Sequence, residues 1–257
     1  MSKKYFVTSD VHSFLDELMV VLNEKGFEKD NPDHILCVCG DLFDRGTQPR
    51  QLFEFVKELQ EQDRLVYVAG NHESLLFDCI EEIYRGKVPS QHHFHNKTVE
   101  TICRICGQSE WIVYDPTWRD KICETMQPVL DFISDNCVDY AEIGDFVLVH
   151  GWVPLLMDFR DGTSEDWERA RWANGMEKWN NPACRVPGKT VICGHWHCSY
   201  GWSHIRQERK EWPNKCRNDW KKSFEPFIDD GIMAIDACTA YSGLCNVVVI
   251  EEDEVNG

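Results

Sequence analysis

Five short segments of the chain are rich in side chains that bind metal ions and transfer protons. They are Asp10-Val11-His12, Gly40–Gly46 (GDLFDRG), Gly70–Glu73 (GNHE), His150-Gly151 and Gly194–His197 (GHWH). None contains cysteine, which disfavours a structural zinc site and suits manganese, iron or zinc in a catalytic role. Two such ions side by side can activate water and hold phosphate oxygens. The segments therefore indicate a catalytic centre for phosphoester chemistry.

The spacing of these residues divides them between two ions. Asp41 is the natural carboxylate to bridge both ions. Asp10 and His12 are two residues apart on an extended segment, so both side chains can face one ion. The oxygen and two nitrogens available to the other ion come from Asn71, His150 and His195.

Each segment follows an apolar run that is typical of a buried strand. These runs are Lys4–Ser9, His34–Cys39, Arg64–Ala69, Asp145–Val149 and Thr190–Cys193, and Ile232–Ile235 and Asn246–Ile250 are expected to be closing strands. Helical spacing of apolar residues predicts helices over 13–25, with Ser13 as N-cap, and over 49–60. This alternation indicates an α/β protein that binds its ligand at the carboxyl ends of the strands.

Two insertions are predicted in a single domain that spans residues 1–257. A mainly helical cap is expected at about 87–140. There His92, His93 and His95, with Cys103 and Cys106, fit no common zinc spacing, so the segment should be solvated. The second insertion, at about 200–228, contains the locally basic stretch His204–Lys222 and three tryptophans. It is either a loop that binds anions or nucleotides or, as we favour, a surface insertion.

Bulk composition excludes several classes of protein. A net charge of −17 argues against general binding to nucleic acid or to an anionic membrane. No apolar run approaches the roughly 18 residues of a membrane helix, and Met1–Phe14 does not resemble a signal peptide. The 13 cysteines are odd in number in a chain too long for a small disulfide scaffold, so we expect reduced thiols and a cytoplasmic location.

Two segments resemble the signatures of a known family. GDLFDRG and GNHE closely match the GDxxDRG and GNHE motifs of the phosphoprotein phosphatase branch, bacterial or phage type, of the calcineurin-like metallophosphoesterases. The resemblance implies a four-layer α-β-β-α sandwich with two central mixed sheets. The ligands it implies are Asp10, His12 and Asp41 for the first ion, and Asp41, Asn71, His150 and His195 for the second. It also implies that His72 is the general acid, that Asp44 orients it, and that Arg45, with Asn71, binds the substrate phosphate.

Four other features of the chain depart from that branch. The first motif reads Ser9–Ser13 (SDVHS) where the branch has GDxHG. The second histidine of GHWH, His197, corresponds to a ligand of the first ion in other members of the superfamily and is added as a predicted ligand. A second phosphate-binding arginine is predicted at Arg171, with Arg169 as the alternative. The closing glycine-rich turn reads Asp236–Gly243 (DACTAYSG).

The resemblance implies phosphoester hydrolysis with a metal-bridging hydroxide as nucleophile. The favoured substrate is a phosphomonoester of the phosphoserine or phosphothreonine type in a protein. The alternative is a dinucleoside polyphosphate such as diadenosine tetraphosphate, or another small phosphoester, because bacterial relatives of both kinds share the motifs. The expected partner is thus a phosphoprotein or a nucleotide. A remote alternative is a non-catalytic scaffold with the same fold.

Overall fold

The computed structural model describes residues 3–206 and 219–251 of the chain. The strands of these residues are β1 (Lys4–Thr8), β2 (His34–Cys39), β3 (Leu65–Val68), β4 (Cys137–Val138), β5 (Ala141–Ile143), β6 (Phe146–Leu148), β7 (Thr190–Cys193), β8 (Phe227–Asp229), β9 (Ile232–Ala234) and β10 (Val248–Glu251). One sheet has the order β10-β1-β2-β3-β4, in which only β10 is antiparallel to its neighbour. The other has the order β5-β6-β7-β9-β8, with antiparallel strands at both edges. Both sheets are therefore mixed.

Helices cover the outer faces of these sheets. They are α1 (Leu15–Glu24), α2 (Pro49–Gln60), α3 (Asn71–Tyr84), α4 (Gln91–His95), α5 (Thr98–Cys106), α6 (Arg119–Asn136), α7 (Ser164–Arg171), α8 (Gly175–Asn180), α9 (Cys198–Tyr200) and α10 (Thr239–Ser242). Shorter 3-10 turns lie at Glu110–Val113, Pro116–Trp118, Phe159–Asp161, Pro182–Cys184 and Trp220–Phe224. The helix predicted over 49–60 has the same bounds in the structure, because Pro49 suits the first helical position and Leu52, Val56 and Leu59 form one buried face.

The alternation of side chains along the strands explains the layers. In β2, Leu36 and Val38 pack against the helices, whereas Cys37 and Cys39 enter the core between the sheets. In the second sheet, Val147 packs against its own helical layer while the next residue, Leu148, faces the inter-sheet core. The predicted four-layer α-β-β-α sandwich with two mixed sheets is confirmed.

The first helix does not begin as the sequence predicted. Ser13 has a φ of +62°, and its backbone N–H donates to the Leu42 carbonyl oxygen at 2.9 Å. Phe14 occupies the N-cap position without a side-chain hydrogen bond, and α1 begins at Leu15. The N-cap prediction was wrong because Ser13 is held in the loop that carries the first motif.

The segment predicted as a cap contains α4, α5 and α6. Its apolar residues, among them Ile102 and Ile122, join the same core as α2 and α3. His93 is fully buried in α4, so the expectation that this segment is solvated was wrong for this histidine. The bounds of the cap stay a prediction. Of the second predicted insertion, residues 207–218, with Trp212, lie outside the described residues.

Two further findings concern the class of the protein. The cysteines of the two described ranges are all free. Within those ranges no helix combines the length and the apolar character needed to cross a bilayer.

Candidate metal centre

The five motif segments meet at one edge of the sandwich. They follow β1, β2, β3, β6 and β7, whose carboxyl ends lie side by side because these strands are parallel within each sheet. Two hydrogen bonds join the sheets here. His150 Nδ1 lies 2.9 Å from the Cys39 carbonyl oxygen, and the His195 backbone N–H donates to Asp10 Oδ2 at 2.9 Å. The segments thus form a single site between the two sheets.

The backbone of this site is unusual. Seven motif residues other than glycine have φ between +48° and +73°: Asp10, His12, Ser13, Asp41, Asp44, Arg45 and His195. Such residues cost of order 1–3 kcal/mol each and persist where the surrounding structure holds them. Only three other non-glycine residues in the described ranges share this conformation. The strained backbone is therefore concentrated in the motifs.

The first cluster of the site contains His12, Asp41 and His72, each offering one ligand atom within 4.8 Å of the others. His12 Nε2 lies 3.7 Å from Asp41 Oδ2, and His72 Nε2 lies 3.8 Å from the same oxygen. Asp10 Oδ1 is 3.9 Å from His12 Nε2. These separations exceed hydrogen-bond length, so the atoms surround a common space rather than pair with one another.

The second cluster contains Asp41, His150 and His195, again with ligand atoms within 4.8 Å of one another. His150 Nε2 lies 3.3 Å from Asp41 Oδ1 and 2.9 Å from Asn71 Oδ1. Asp41 therefore directs Oδ2 to the first cluster and Oδ1 to the second. This is the arrangement required of a carboxylate shared by two ions.

Backbone carbonyl groups select the tautomer of two of these histidines. His12 Nδ1 is 2.8 Å from the Phe43 carbonyl oxygen, and His150 Nδ1 is 2.9 Å from that of Cys39. A carbonyl oxygen only accepts, so Nδ1 carries the proton and the Nε2 lone pair faces the carboxylates. His12 Nε2 is buried without a hydrogen-bond partner among the described residues. A divalent cation would satisfy it, so the donor set fits metal ions.

Burial and neighbouring charges favour the metal-binding forms of two predicted ligands, Asp41 and His195. Burial raises the pKa of Asp41, but His150, His72 and His12 outweigh burial and hold it below its usual range. Burial, and then the charge of His150, lower the pKa of His195 to about 4. An ionised carboxylate and a neutral imidazole are the states that metal ligation requires.

His72 lies between the carboxylate of Asp44 and the guanidinium of Arg45. Its Nδ1 lies 2.7 Å from Asp44 Oδ2, and its Nε2 lies 3.1 Å from Arg45 Nη2. Burial opposes the charged form, but Asp41 and Asp44 outweigh burial and raise the pKa of His72 to about 9. The structure thus joins the three residues predicted as acid, orienting carboxylate and phosphate ligand.

Sequence reasoning missed Thr98, the first residue of α5. Its hydroxyl donates to Asp44 Oδ2 at 2.8 Å, and the side chain is fully buried. The cap segment therefore contacts the carboxylate that is hydrogen-bonded to His72. No local motif marks Thr98, because the contact joins residues 54 positions apart.

Glu73, the last residue of GNHE, was also not predicted to have a role. Its carboxylate accepts hydrogen bonds from the backbone N–H groups of Asp41, Leu42 and Gly70 at 2.7–3.0 Å and from the Tyr67 hydroxyl at 2.7 Å. Glu73 thereby fixes the backbone that carries the shared carboxylate. The signal available in the sequence was the position of this acidic residue within the GNHE motif.

Two motif glycines leave room for the ligands. A Cβ on Gly194 would lie 2.1 Å from Asp10 Oδ2, and one on Gly70 would lie 2.2 Å from Asp41 Oδ1. Any side chain at either position would displace a predicted metal ligand. Close approach explains these glycines, because neither has a positive φ.

The closing turn brings one more carboxylate to the site. Asp236 is buried, and burial followed by the charge of Asp10 raises its pKa well above the usual range. Its Oδ1 accepts from the Cys238 backbone N–H at 2.6 Å. Cys238 adopts a φ of +50° where the branch pattern has glycine-rich sequence, and this hydrogen bond helps to hold it there.

Three predicted site residues lie apart from the two clusters. His197 is a member of neither; its side chain is 45% exposed, with Nε2 4.0 Å from Asp236 Oδ2. Arg171 forms ion pairs with Asp139 and Glu168, and Arg169 is exposed beside Glu165 and Asp166. Neither arginine has a contact with the clusters in the described structure. Their predicted roles stay predictions.

Comparison with known proteins identifies the family. The model of the calcineurin-like phosphoesterase family matches residues 3–226. An asymmetrical bis(5'-nucleosyl)-tetraphosphatase PrpE from Anoxybacillus flavithermus is 37% identical over 161 residues, which are 60% of this chain and 59% of the relative. A symmetrical bis(5'-nucleosyl)-tetraphosphatase from Aliivibrio salmonicida is 35% identical over 83 residues, 32% of this chain and 29% of the relative. The matches span at most about three fifths of these curated relatives.

Solved structures share the fold at low sequence identity. A putative diadenosine tetraphosphatase superposes with a TM-score of 0.52 and 13% identity, covering 98% of this chain and 94% of the other. A cold-active protein-tyrosine phosphatase of a psychrophilic Shewanella superposes with a TM-score of 0.50 and 13% identity, covering 98% of this chain and 76% of the other. With a family model matched over most of its length, the chain belongs to the calcineurin-like phosphoesterase family.

Proposed function

We propose that this chain hydrolyses dinucleoside polyphosphates, such as diadenosine tetraphosphate, with two divalent metal ions around Asp41. The observation that carries the substrate class is the 37% identity over 161 residues to a bis(5'-nucleosyl)-tetraphosphatase. The two clusters that share Asp41 support the reaction class, because a pair of ions suits displacement at phosphorus.

The ligands fall into two sets. Those of the first ion are Asp10, His12 and Asp41, and those of the second are Asp41, Asn71, His150 and His195. Bound divalent ions supply an acidified water and neutralise phosphate charge. Ser9 supports the first set, because its hydroxyl donates to Asp10 Oδ2 at 2.5 Å and holds that carboxylate in place.

Arg45 and His72 act on the substrate itself. Because Arg45 Nη2 and His72 Nε2 are 3.1 Å apart, a phosphate oxygen bound by the guanidinium lies beside the imidazole. A water that has released one proton to solvent forms a bond to phosphorus, the bridging P–O bond breaks, and His72 gives its Nε2 proton to the departing oxygen. Asp44 keeps Nδ1 protonated and stabilises the charged ring.

A protein phosphatase activity is the second candidate. The GDLFDRG and GNHE segments favour it, since they match the phosphoprotein phosphatase signatures. It was the first expectation from sequence and becomes second because the curated relatives above are tetraphosphatases.

Substrate preference tests this proposal. The manganese-loaded full chain is assayed with diadenosine tetraphosphate and with a phosphoserine peptide, and nucleotide products are separated by anion exchange. We expect kcat/KM to favour the dinucleotide by at least about 100-fold, or about 2.7 kcal/mol in the transition state. Asp41→Asn should abolish turnover, whereas the matched variant Asp131→Asn, on the exposed face of α6, should not.

Two results would overturn the proposal. A higher kcat/KM for the phosphopeptide would make the protein phosphatase activity the correct one. Absence of turnover of every substrate, p-nitrophenyl phosphate included, with manganese, iron or zinc would favour the non-catalytic scaffold.

A further inference from the structure

A pocket of about 480 Å³ lies beside the second cluster of the metal centre. Its lining includes Pro154, Leu155, Leu156, Arg169, Trp172 and Lys178. These residues come from the loop after His150, from α7 and from α8. The volume is within the roughly 300–1,000 Å³ of small-molecule sites.

Trp172 joins this pocket to the metal centre. Its indole ring and the imidazole ring of His195 meet edge to face with centroids 5.7 Å apart. Trp172 nevertheless remains 51% exposed. An aromatic surface is therefore free to bind a ligand directly next to a predicted metal ligand.

Two leucines from the loop after His150 give part of the pocket lining an apolar surface. Leu155 and Leu156 are 56% and 47% exposed, although burying each would contribute roughly 1.5–3 kcal/mol. Exposed apolar side chains grouped around a concave surface are typical of a binding site. The two leucines can cover the face of a planar group that stacks on Trp172.

The pocket lining includes two basic residues, Arg169 and Lys178, and one acid, Asp166, in a chain of net charge −17. Lys178 is half-buried and has no ion-pair partner in the part of the chain that the structure describes. Arg169 is 3.3 Å from Asp166 and 3.4 Å from Glu165. Lys178 is thus the cation available to a phosphate group at this pocket.

We propose that this pocket binds one nucleobase of the dinucleoside polyphosphate, stacked on Trp172, covered by Leu155 and Leu156, and with Lys178 at its phosphate. This inference rests on the proposed function, since it places the part of the substrate that is not at the metal ions. Stacking on an indole needs no particular pattern of hydrogen bonds. The pocket therefore selects a nucleotide over a phosphopeptide without selecting among bases.

The test compares a substrate that has bases with one that has no ring. The ratio of kcat/KM for diadenosine tetraphosphate to kcat/KM for β-glycerol phosphate is measured for the manganese-loaded full chain. Trp172→Ala should lower this ratio about 5- to 150-fold, as expected for the loss of one base stack. Trp172→Phe, which keeps an aromatic face, should recover most of it.

A second variant avoids the contact with His195. Leu156→Asp places a negative charge in the pocket and should lower the same ratio. Trp111→Ala removes a comparably exposed tryptophan, 46%, from the cap segment and serves as the matched control. If Trp172→Ala does not fold, the ratio measured for Leu156→Asp decides whether the pocket binds a base.

The outcomes separate this inference from the proposed function. Wild-type protein that does not hydrolyse diadenosine tetraphosphate contradicts the proposed function. If the wild type hydrolyses diadenosine tetraphosphate and both Trp172→Ala and Leu156→Asp keep the wild-type ratio of kcat/KM values, only the base-binding pocket is overturned. A ratio that falls in both variants and not in Trp111→Ala supports the pocket.

Discussion

Replacing Glu73 by Gln tests how the shared carboxylate is held in place. Oε2 accepts from the N–H groups of Asp41 and Gly70, and Oε1 accepts from the Leu42 N–H and the Tyr67 hydroxyl. A glutamine has the same shape but only one accepting oxygen. Its NH₂ group, which is itself a donor, must therefore face the two donors that one of the Glu73 oxygens now accepts from.

The loss can be worked out for the better orientation of the amide. The oxygen would remain with Asp41 and Gly70, and the Tyr67 hydroxyl could turn to accept from the NH₂ group. The Leu42 N–H would then face another donor in a buried position. Each hydrogen bond to a charged group contributes about 1.5–3 kcal/mol, so we expect a loss of about 2–4 kcal/mol in the free energy of unfolding. In a domain of this size that lowers Tm by about 4–16 °C.

Thermal unfolding is measured in chelator, so that metal binding does not add to the stability of either protein. Glu81→Gln is the matched control, because Glu81 lies on the same helix and forms only an exposed ion pair with Arg85 at 2.6 Å. Such pairs contribute at most about 1 kcal/mol. A Tm for Glu73→Gln no lower than that of Glu81→Gln would refute the anchoring role.

Three further outcomes are expected. Thr98→Val removes one hydrogen bond to Asp44 and should lower kcat for phenyl phosphate about 5- to 10-fold. The decrease should be smaller for p-nitrophenyl phosphate, which has a better leaving group. Thr98→Ser keeps the hydroxyl and should change kcat little. Neither ring nitrogen of buried His93 has a hydrogen-bond partner in the described ranges, so His93→Leu should raise the free energy of unfolding in urea by about 1–2 kcal/mol. Burial, and then the charge of His92, lower the pKa of His93 in the folded chain. Below about pH 6.5 the unfolded chain therefore binds a proton at this histidine more readily than the folded chain, which destabilises the wild type. The gain in stability from His93→Leu should thus be larger at about pH 5.5 than at about pH 8. Manganese at about 100 times its Kd should stabilise the wild type over chelator by about 2.7 kcal/mol for each bound ion, seen as a higher Tm that His12→Ala reduces.

Much of the site could be predicted because parallel strands impose it. Asp10, Asp41 and Asn71 each follow a strand of one sheet, and His150 and His195 each follow a strand of the other. Carboxyl ends of neighbouring parallel strands lie together, so residues far apart in sequence meet without any local signal. The apolar runs likewise indicated an α/β protein, whereas the four layers of the sandwich were implied by the family resemblance.

The remaining features depend on contacts that no local pattern encodes. The hydrogen bond from Thr98 to Asp44 and the approach of Trp172 to His195 join separate elements. Ser13 was predicted as an N-cap from its type, but its backbone hydrogen bond to Leu42 holds it in the motif loop. The backbone of Ser13 is thus fixed by the loops of the metal centre and not by the start of the helix that follows it.

Two divalent ions around the carboxylate of Asp41 are the feature on which every functional proposal here depends. Their number can be counted directly by dialysing the protein against manganese and measuring bound metal per chain by mass spectrometry. We expect two ions per chain in the wild type and at most one, bound more weakly, in Asp41→Asn, because Oδ1 and Oδ2 face different clusters. A wild type that binds one ion or none, or an Asp41→Asn variant that binds two with unchanged affinity, would contradict the shared-carboxylate centre.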